Sequence, residues 1–185
     1  MESLKLKKEN LLKEILKFSL IAILIVAPIR LFIAQPFIVS GASMHPSFDS
    51  SQYLIVDQLS YQIGTPERGE VIIFKYPRDP SVFFIKRVIG LPNETVIMDS
   101  GKLTIKNDLF PGGFNLDEPY INEETRDTFT TKLKDDEYFV LGDNRNHSSD
   151  SRIWGPLDEK FVIGKAFVRL FPINQFSVYP GDYSN

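Results

Sequence analysis

The stretch "VFFIKRVIG", residues 82–90, is rich in Val, Ile and Phe and contains two adjacent cations, Lys86 and Arg87. This composition is typical of a β-strand that packs into a core. Successive side chains of a strand point to opposite faces. The face of Lys86 holds Val82, Phe84 and Val88, and the face of Arg87 holds Phe83, Ile85 and Ile89. Both faces are therefore predicted to be buried, with one cation on each.

Six further segments have the same composition and are bounded by Gly, Pro, Asp and Asn. They are "YLIVDQ" (53–58), "EVIIFKY" (70–76), "ETVIM" (94–98), "KLTIK" (102–106), "EYFVLGD" (137–143) and "FVIGKAFVRLF" (161–171). The turn "MDSGK" reads as a hairpin in which Gly101 supplies a positive φ. Residues 107–135 mix glycines with an acidic polar run, which indicates a long connection or insertion. The sequence thus predicts a mainly β domain.

The composition excludes several classes of protein. At 185 residues the chain can bury one good core. A net charge of only -3 gives no basic field that would attract nucleic acid. The absence of cysteine excludes disulfides, thiolate catalysis and cysteine-based metal sites.

An apolar run near the N-terminus predicts a membrane segment. It is uncharged from Phe18 to Ile29 and, taken through Arg30 to Ala34, has 17 residues. That length gives about 25 Å of helix, enough to cross a bilayer if the arginine snorkels to the headgroups. The competing interpretation is a cleavable signal peptide. Either way, the rest of the chain is exported.

The distribution of cations predicts the orientation. Residues 1–17 carry five lysines and three glutamates, whereas Lys and Arg are absent between Arg30 and Arg68. Positive charge is favoured on the cytoplasmic side of a membrane segment. We expect residues 1–17 to be cytoplasmic, 18–34 to be a transmembrane helix of a single-pass protein of the cell membrane, and 35–185 to be an extracytoplasmic β domain.

The turn "IVSGASMHPSF", residues 38–48, supplies a candidate nucleophile in Ser43. A serine hydroxyl is a weak nucleophile until a base takes its proton. Lys86 could be that base, because a lysine among apolar neighbours loses hydration and its pKa falls toward neutrality. The alternative is a lysine that snorkels from a strand end to solvent.

The segment "LGDNRNHSSDSRIWGP", residues 141–156, has the composition of a solvated turn but also offers chemistry. Asp150 and Arg152 would lie on one face of an extended segment and could form a bidentate pair. Ser148 could orient a lysine amine. A Ser-His-Asp triad that uses His147, which sits among Asp143, Asp150 and several serines, is formally possible as well.

Taken in order, four blocks resemble bacterial type I signal peptidases, the membrane-bound Ser-Lys proteases that remove signal peptides from exported proteins. The blocks are "RLFIAQPFIVSGASMHPS" (30–47), "RGEVIIFKYP" (68–77), "FIKRVIGLPNE" (84–94) and "GDNRNHSSDSRIWGP" (142–156). The resemblance runs over most of the chain. It implies a signal-peptidase-like β catalytic domain carried on a single N-terminal transmembrane helix.

The resemblance also implies roles for individual residues. Ser43 would be the nucleophile, Lys86 its general base and Ser148 the group that orients the lysine amine. Asp150 and Arg152 would be paired to hold their loop. The scaffolding near the site would be Gly142, Asp143, Asn144 and Arg145.

One position departs from the pattern of some family members. In those members a hydroxyl two residues before the nucleophile helps the nucleophile's own N–H to bind the oxyanion. Here that position is Gly41, which has no side chain. Backbone, water or a neighbouring hydroxyl such as that of Ser40 would have to serve instead.

The implied substrates are the signal peptides of preproteins, bound as an added strand and cut after an Ala-x-Ala pattern. The predicted substrate-binding residues are Phe37, Val39, Gly41, Met44, Phe84 and Ile85. Membrane lipid and the protein-export machinery are the other expected partners, and no metal, nucleotide or other cofactor is implied.

Two other functions fit parts of the pattern. A self-cleaving Ser-Lys protease of the repressor type shares the dyad, but it should be soluble and carry a DNA-binding region. A membrane-tethered β domain could bind exported proteins without cutting them. In that case Ser43 and Lys86 would be ordinary turn and core residues.

Overall fold

The structure is a computed structural model that describes residues 2–28, 34–123 and 125–183. Within these ranges the helices are α1 (Glu2–Pro28), α2 (Ser60–Ile63) and α3 (Ser151–Trp154). The strands are β1 (Ala34–Ile38), β2 (Tyr53–Asp57), β3 (Val71–Tyr76), β4 (Asp79–Gly90), β5 (Thr95–Asp99), β6 (Lys102–Lys106), β7 (Phe114–Asn115), β8 (Phe129–Lys132), β9 (Glu137–Leu141), β10 (Leu157–Asp158), β11 (Val162–Phe171) and β12 (Ser177–Val178).

The N-terminal helix α1 covers most of the predicted membrane segment 18–34. It ends at Pro28, and residues 29–33, with Arg30, lie outside the described residues. Among the described residues, no helix combines the length and the apolar character needed to cross a membrane. The single-pass anchor therefore stays a prediction.

The larger sheet joins strands from both ends of the described segment 34–183. Its order is β1-β2-β11-β3-β4-β9-β10, with β12 paired to β11, and its strand pairs are antiparallel. All seven predicted strand segments of the chain are strands in the structure. The prediction of a mainly β fold is confirmed.

The smaller sheet has the order β7-β6-β5-β8 and begins with a hairpin. Strands β5 and β6 pair from Asp99 and Lys102 outward, and Gly101 has a φ of 86° in the turn between them. Strands β7 and β8 lie inside the segment 107–135, for which the sequence predicts a long connection. The sequence does not predict these two strands, because β7 has only two residues and β8, "FTTK", is mostly polar.

Strand β4 belongs to the larger sheet, and the chain continues from its end at Gly90 into β5 of the smaller sheet. Along its length β4 passes from solvent into the core. Its residues before Phe84 are exposed, whereas those from Lys86 onward are buried. The expectation that both faces are buried therefore holds only for the second half. This gradient places Lys86 where the strand enters the core, next to an open surface.

The turn between β1 and β2 rests on an apolar cluster. Met44 and Phe48, both in the turn, pack with residues of the strands beneath, and Met44 is 1% exposed. The cluster consists of Val39, Met44, Phe48, Leu54, Val56, Val71, Ile73 and Ala166. Burying a large apolar side chain stabilises a fold by about 1.5–3 kcal/mol. The two turn residues therefore tie the backbone around Ser43 to the sheet.

Candidate active site

Ser43 lies in the connection between β1 and β2, half-buried at the surface of the sheet. The base of this connection is closed by backbone hydrogen bonds from Val39 N–H to Gln52 O (2.9 Å) and from Ser51 N–H to Val39 O (2.8 Å). Gly41 has a φ of 93°, a conformation that residues with a side chain rarely adopt. The small residues before Ser43 thus allow the chain to turn, while Met44 anchors the far side in the core.

Lys86 reaches Ser43 from β4. Its side chain is 3% exposed, and its Nζ lies 2.8 Å from the Ser43 Oγ. The same amine donates to the carbonyl oxygen of Ile85 at 2.7 Å. A candidate base must lie within hydrogen-bond reach of the proton that it removes. This pair meets that requirement although 43 residues separate its members along the chain.

Burial changes the protonation of Lys86. Loss of hydration disfavours the ammonium and lowers the pKa of Lys86 to about 8, against an opposing effect from Asp150 and Asp143. A sizeable fraction of the amine is therefore neutral at mildly alkaline pH. A neutral amine can accept the proton of Ser43 while one of its own N–H groups stays on Ile85.

Arg87, the second cation of β4, forms a buried ion pair with Asp143. Its Nε and Nη2 donate to the two carboxylate oxygens at 2.9 and 2.6 Å, and both side chains are 1% exposed. Its guanidinium also lies 3.9 Å from the centre of the Tyr120 ring. Arg87 was not among the predicted site residues. The signal was present, because a cation on a buried face requires a buried carboxylate partner.

Asp150 and Arg152 also form a bidentate pair, with both Nε and Nη2 of the arginine 2.8 Å from the carboxylate. The backbone differs from the extended segment that the spacing suggested. Asp150 is instead the N-cap of α3, and its carboxylate accepts from the N–H of Arg152 and from that of Gly142. Arg152 also donates to Asp127 at 2.6 Å. The pair therefore ties α3 to the segment that begins at Gly142.

Ser148 lies beside the turn between β1 and β2 that carries Ser43. A Cβ built on Gly142 would lie 2.2 Å from the Ser148 Oγ and 2.4 Å from the Ser43 carbonyl oxygen, so only glycine fits at this position. The Ser148 hydroxyl is buried, and it makes no hydrogen bond with another described residue. Its predicted contact with the Lys86 amine is thus not formed in this structure, although the two groups flank the same turn.

The two histidines make no hydrogen bond to Ser43 within the described part of the chain. His45 is exposed and pairs with Asp49 at 2.9 Å. His147 is exposed at the rim of the cleft beside Ser43, and among the described residues its ring has no carboxylate partner. A Ser-His-Asp triad needs both contacts. The geometry therefore favours the lysine over the histidine.

An open cleft of about 280 Å³ runs past Ser43 and Lys86. Five of the six predicted substrate-binding residues line it: Phe37, Val39, Gly41, Phe84 and Ile85. Met44 is not among the lining residues, because its side chain turns into the core. Five apolar residues that line the cleft were not predicted: Ile38, Ala42, Leu54, Ile73 and Phe83.

The walls of the cleft are strand edges. Strand β1 is the edge strand of the larger sheet, and β4 pairs with β9 only from Arg87 onward. The rings of Phe37 and Phe83, one from each wall, are in contact, and their centroids are 5.3 Å apart. Unpaired strand edges offer N–H and C=O groups to an added strand. The cleft can therefore take an extended peptide along its length.

Comparison with known proteins gives a consistent family. Residues 12–171 match the family described as signal peptidase, peptidase S26. A probable signal peptidase I-2 of Synechocystis sp. is 35% identical over 94% of this chain and 80% of its own length. A signal peptidase I of Leptolyngbya laminosa is 36% identical over 91% of this chain and 84% of its own length. The crystal structure of a signal peptidase I from Enterococcus faecalis is 34% identical, covers 56% of this chain and 97% of its own, and has a TM-score of 0.48. The chain belongs to the signal peptidase family, peptidase S26.

Proposed function

We propose that this chain is a serine endopeptidase that removes signal peptides from exported preproteins, with Ser43 as the nucleophile and Lys86 as its general base. The observation that carries the proposal is the 2.8 Å contact between the Ser43 Oγ and the buried Lys86 amine beside the cleft. The substrate class comes from relatives that are named signal peptidases.

The chemistry is acyl transfer. Neutral Lys86 takes the proton of Ser43 as its Oγ attacks the carbonyl carbon of the scissile bond. The tetrahedral oxyanion that forms is met by the N–H of Ser43. The lysine ammonium then protonates the leaving amine, and the C–N bond breaks. A water molecule, deprotonated by Lys86, hydrolyses the acyl-enzyme and regenerates the serine.

Three neighbouring groups support the dyad in this proposal. We assign Ser148 the role of orienting the lysine amine, because its buried hydroxyl lies beside the turn and has no hydrogen-bond partner among the described residues. Asp150 and Arg152 hold the loop that carries Ser148. Asp143 holds β4 in place through Arg87, the residue next to the base.

The cleft favours small residues on one side of the bound peptide. An extended peptide presents every second side chain to the same face, so its first and third residues before the cut point together. The rings of Phe37 and Phe83, one from each wall, narrow the cleft, and we place the first and third side chains against them. We therefore infer a preference for Ala-x-Ala before the scissile bond.

Membrane attachment is part of the same proposal. The described apolar side chains of α1 from Phe18 onward are exposed, and the rest of the described chain does not cover them. Lysines precede them, and Lys and Arg are absent between Arg30 and Arg68. These features support a cytoplasmic segment 1–17, an anchor in lipid over 18–34, and an extracytoplasmic catalytic domain able to meet preproteins as they leave the export machinery.

A purified full-length chain in detergent should cleave a preprotein once, directly after its Ala-x-Ala sequence. Mass spectrometry of both fragments checks the position of the cut. Replacing the alanine next to the scissile bond by phenylalanine should slow cleavage by at least about 100-fold, because the ring cannot enter the narrowed cleft.

Two outcomes would refute this function. One is an intact preprotein after prolonged incubation with folded enzyme, which would favour a binding domain without activity. The other is equal cleavage of the alanine and phenylalanine substrates, which would show that the cleft does not select the residue before the cut.

A further inference from the structure

Asn144 contacts both peptide units that flank the side chain of Ser43. Its backbone N–H donates to the Ser43 carbonyl oxygen at 3.0 Å, and its side-chain Nδ2 donates to the Ala42 carbonyl oxygen, also at 3.0 Å. The contact with Ala42 joins positions 102 residues apart along the chain. Asn144 directly follows Asp143, whose carboxylate is held by the buried Arg87. The backbone next to Asn144 is therefore held in place when the asparagine bonds to the turn that carries Ser43.

The contact with Ala42 has a geometric consequence for Ser43. The Ala42 carbonyl and the Ser43 N–H belong to one planar trans peptide unit, in which the C=O and N–H bonds point in opposite directions. Drawing the carbonyl toward Asn144 therefore turns the N–H away from Asn144. This N–H makes no hydrogen bond to another described residue. It is thus a donor without a partner among the described residues, and its direction depends on the orientation of the peptide plane.

That donor matters more here than it would beside a side-chain hydroxyl. Gly41 offers no hydroxyl to the oxyanion, so the Ser43 N–H carries more of the stabilisation. The Ala42 carbonyl accepts a second bond, from His45 N–H at 3.1 Å, within the turn itself. Asn144 is the donor that ties this peptide plane to a different part of the fold.

We propose that Asn144 is a positioning residue that fixes the Ala42–Ser43 peptide plane and so aims the Ser43 N–H at the oxyanion of the transition state. The inference rests on the proposed function, with Ser43 as nucleophile. Asn144 acts through the backbone and not through the base, because the Lys86 amine bonds to Ser43 Oγ and Ile85 O. Hydrogen bonding at the carbonyl also polarises the peptide and strengthens its N–H as a donor.

Asn144→Ala should lower kcat by about 10- to 100-fold and change KM by less than about twofold, because an aligned oxyanion donor acts mainly in the transition state. Affinity for a peptide aldehyde, whose adduct with serine resembles the tetrahedral intermediate, should fall by a similar factor. Affinity for an uncleavable peptide should not change. Asn144→Asp keeps the side-chain shape and the backbone contact but loses the Nδ2 donor, and it should show the same loss on the alkaline plateau.

Asn146→Ala is the matched control. Asn146 is a nearby asparagine whose amide donates to the exposed Glu123 carboxylate at 2.7 Å, and it has no bond to the turn. It should keep the kcat and the aldehyde affinity of the wild type. If Asn144→Ala fails to fold, the isosteric Asn144→Asp variant decides.

The inference is overturned if the Asn144 variants keep wild-type kcat and aldehyde affinity while Ser43→Ala is inactive. It is also overturned if uncleavable peptide and aldehyde lose affinity equally, since that pattern means a general loss of structure. A wild-type enzyme without cleavage activity would refute the proposed function, and this inference with it.

Discussion

Ser43→Ala and Lys86→Met are each expected to lower preprotein cleavage by at least about 1,000-fold, because one removes the nucleophile and the other its base. Neither change should weaken the fold. The serine is half-buried in a turn, and methionine fills the space of the lysine without placing an ammonium in the core. Cleavage under single-turnover conditions, together with thermal unfolding followed by circular dichroism, tests both expectations.

The double variant sharpens this test. Residues that act as one unit lose activity non-additively, so Ser43→Ala combined with Lys86→Met should be about as slow as either single variant.

His147→Ala should keep most of the activity, because the exposed ring does not bond to Ser43 among the described residues. An inactive His147→Ala beside an active Lys86→Met would refute the lysine mechanism.

Asp143→Ala should lower the free energy of unfolding by about 3–5 kcal/mol, because it leaves the Arg87 guanidinium buried without its carboxylate. Both side chains of this pair are 1% exposed, so water cannot replace the lost partner. Urea unfolding at constant pH measures the change. Replacing both members by apolar residues, as in Arg87→Met with Asp143→Leu, should be less harmful than Asp143→Ala alone.

Asp127→Ala is the control for burial. Its carboxylate also pairs with an arginine, Arg152, but it is 45% exposed, and Arg152 keeps Asp150. Exposed ion pairs contribute about 0–1 kcal/mol. Equal losses of stability in Asp127→Ala and Asp143→Ala would contradict the distinction between the two pairs.

The strands were predictable because their signal is local. Runs of five or more residues rich in β-branched and aromatic side chains marked β2, β4 and β11 with small errors at the ends. Strands β7 and β8 were missed because short or polar strands owe their pairing to neighbours and not to their own sequence. Periodicity likewise says nothing about a turn, so the direction of the Met44 side chain, which points into the core, could not be predicted.

The candidate site was predictable in its residue types but not in its contacts. The pairing of Lys86 with Ser43 was inferred from the family resemblance together with the apolar strand around the lysine. The spacing of Asp150 and Arg152 suggested their ion pair, although an N-cap and not an extended strand brings it about. The partners of Arg87 and Asn144 lie 56 and 102 residues away. Such contacts depend on the sheet order, which no local pattern reveals.

The pH dependence of cleavage follows from the protonation of Lys86. Burial lowers the pKa of Lys86 to about 8, and only the neutral amine can accept the serine proton. The pH dependence of kcat/KM reports pKa values of the free enzyme. The value of kcat/KM should therefore be low at acidic pH, rise through pH 8 and level off above it. A lysine in water, with a pKa near 10.4, would give a rise more than two units later.

The most direct test of the Ser-Lys assignment is the kcat/KM profile of a variant that lacks both histidines, His45→Ala with His147→Ala, measured beside the wild type. A histidine base would also give a rise, near pH 6.5, so the profile must be compared without histidine. We expect the two profiles to coincide, with a midpoint near pH 8 in each. A rise that disappears with the histidines, or a wild-type rise that begins only near pH 10, would contradict Lys86 as the base.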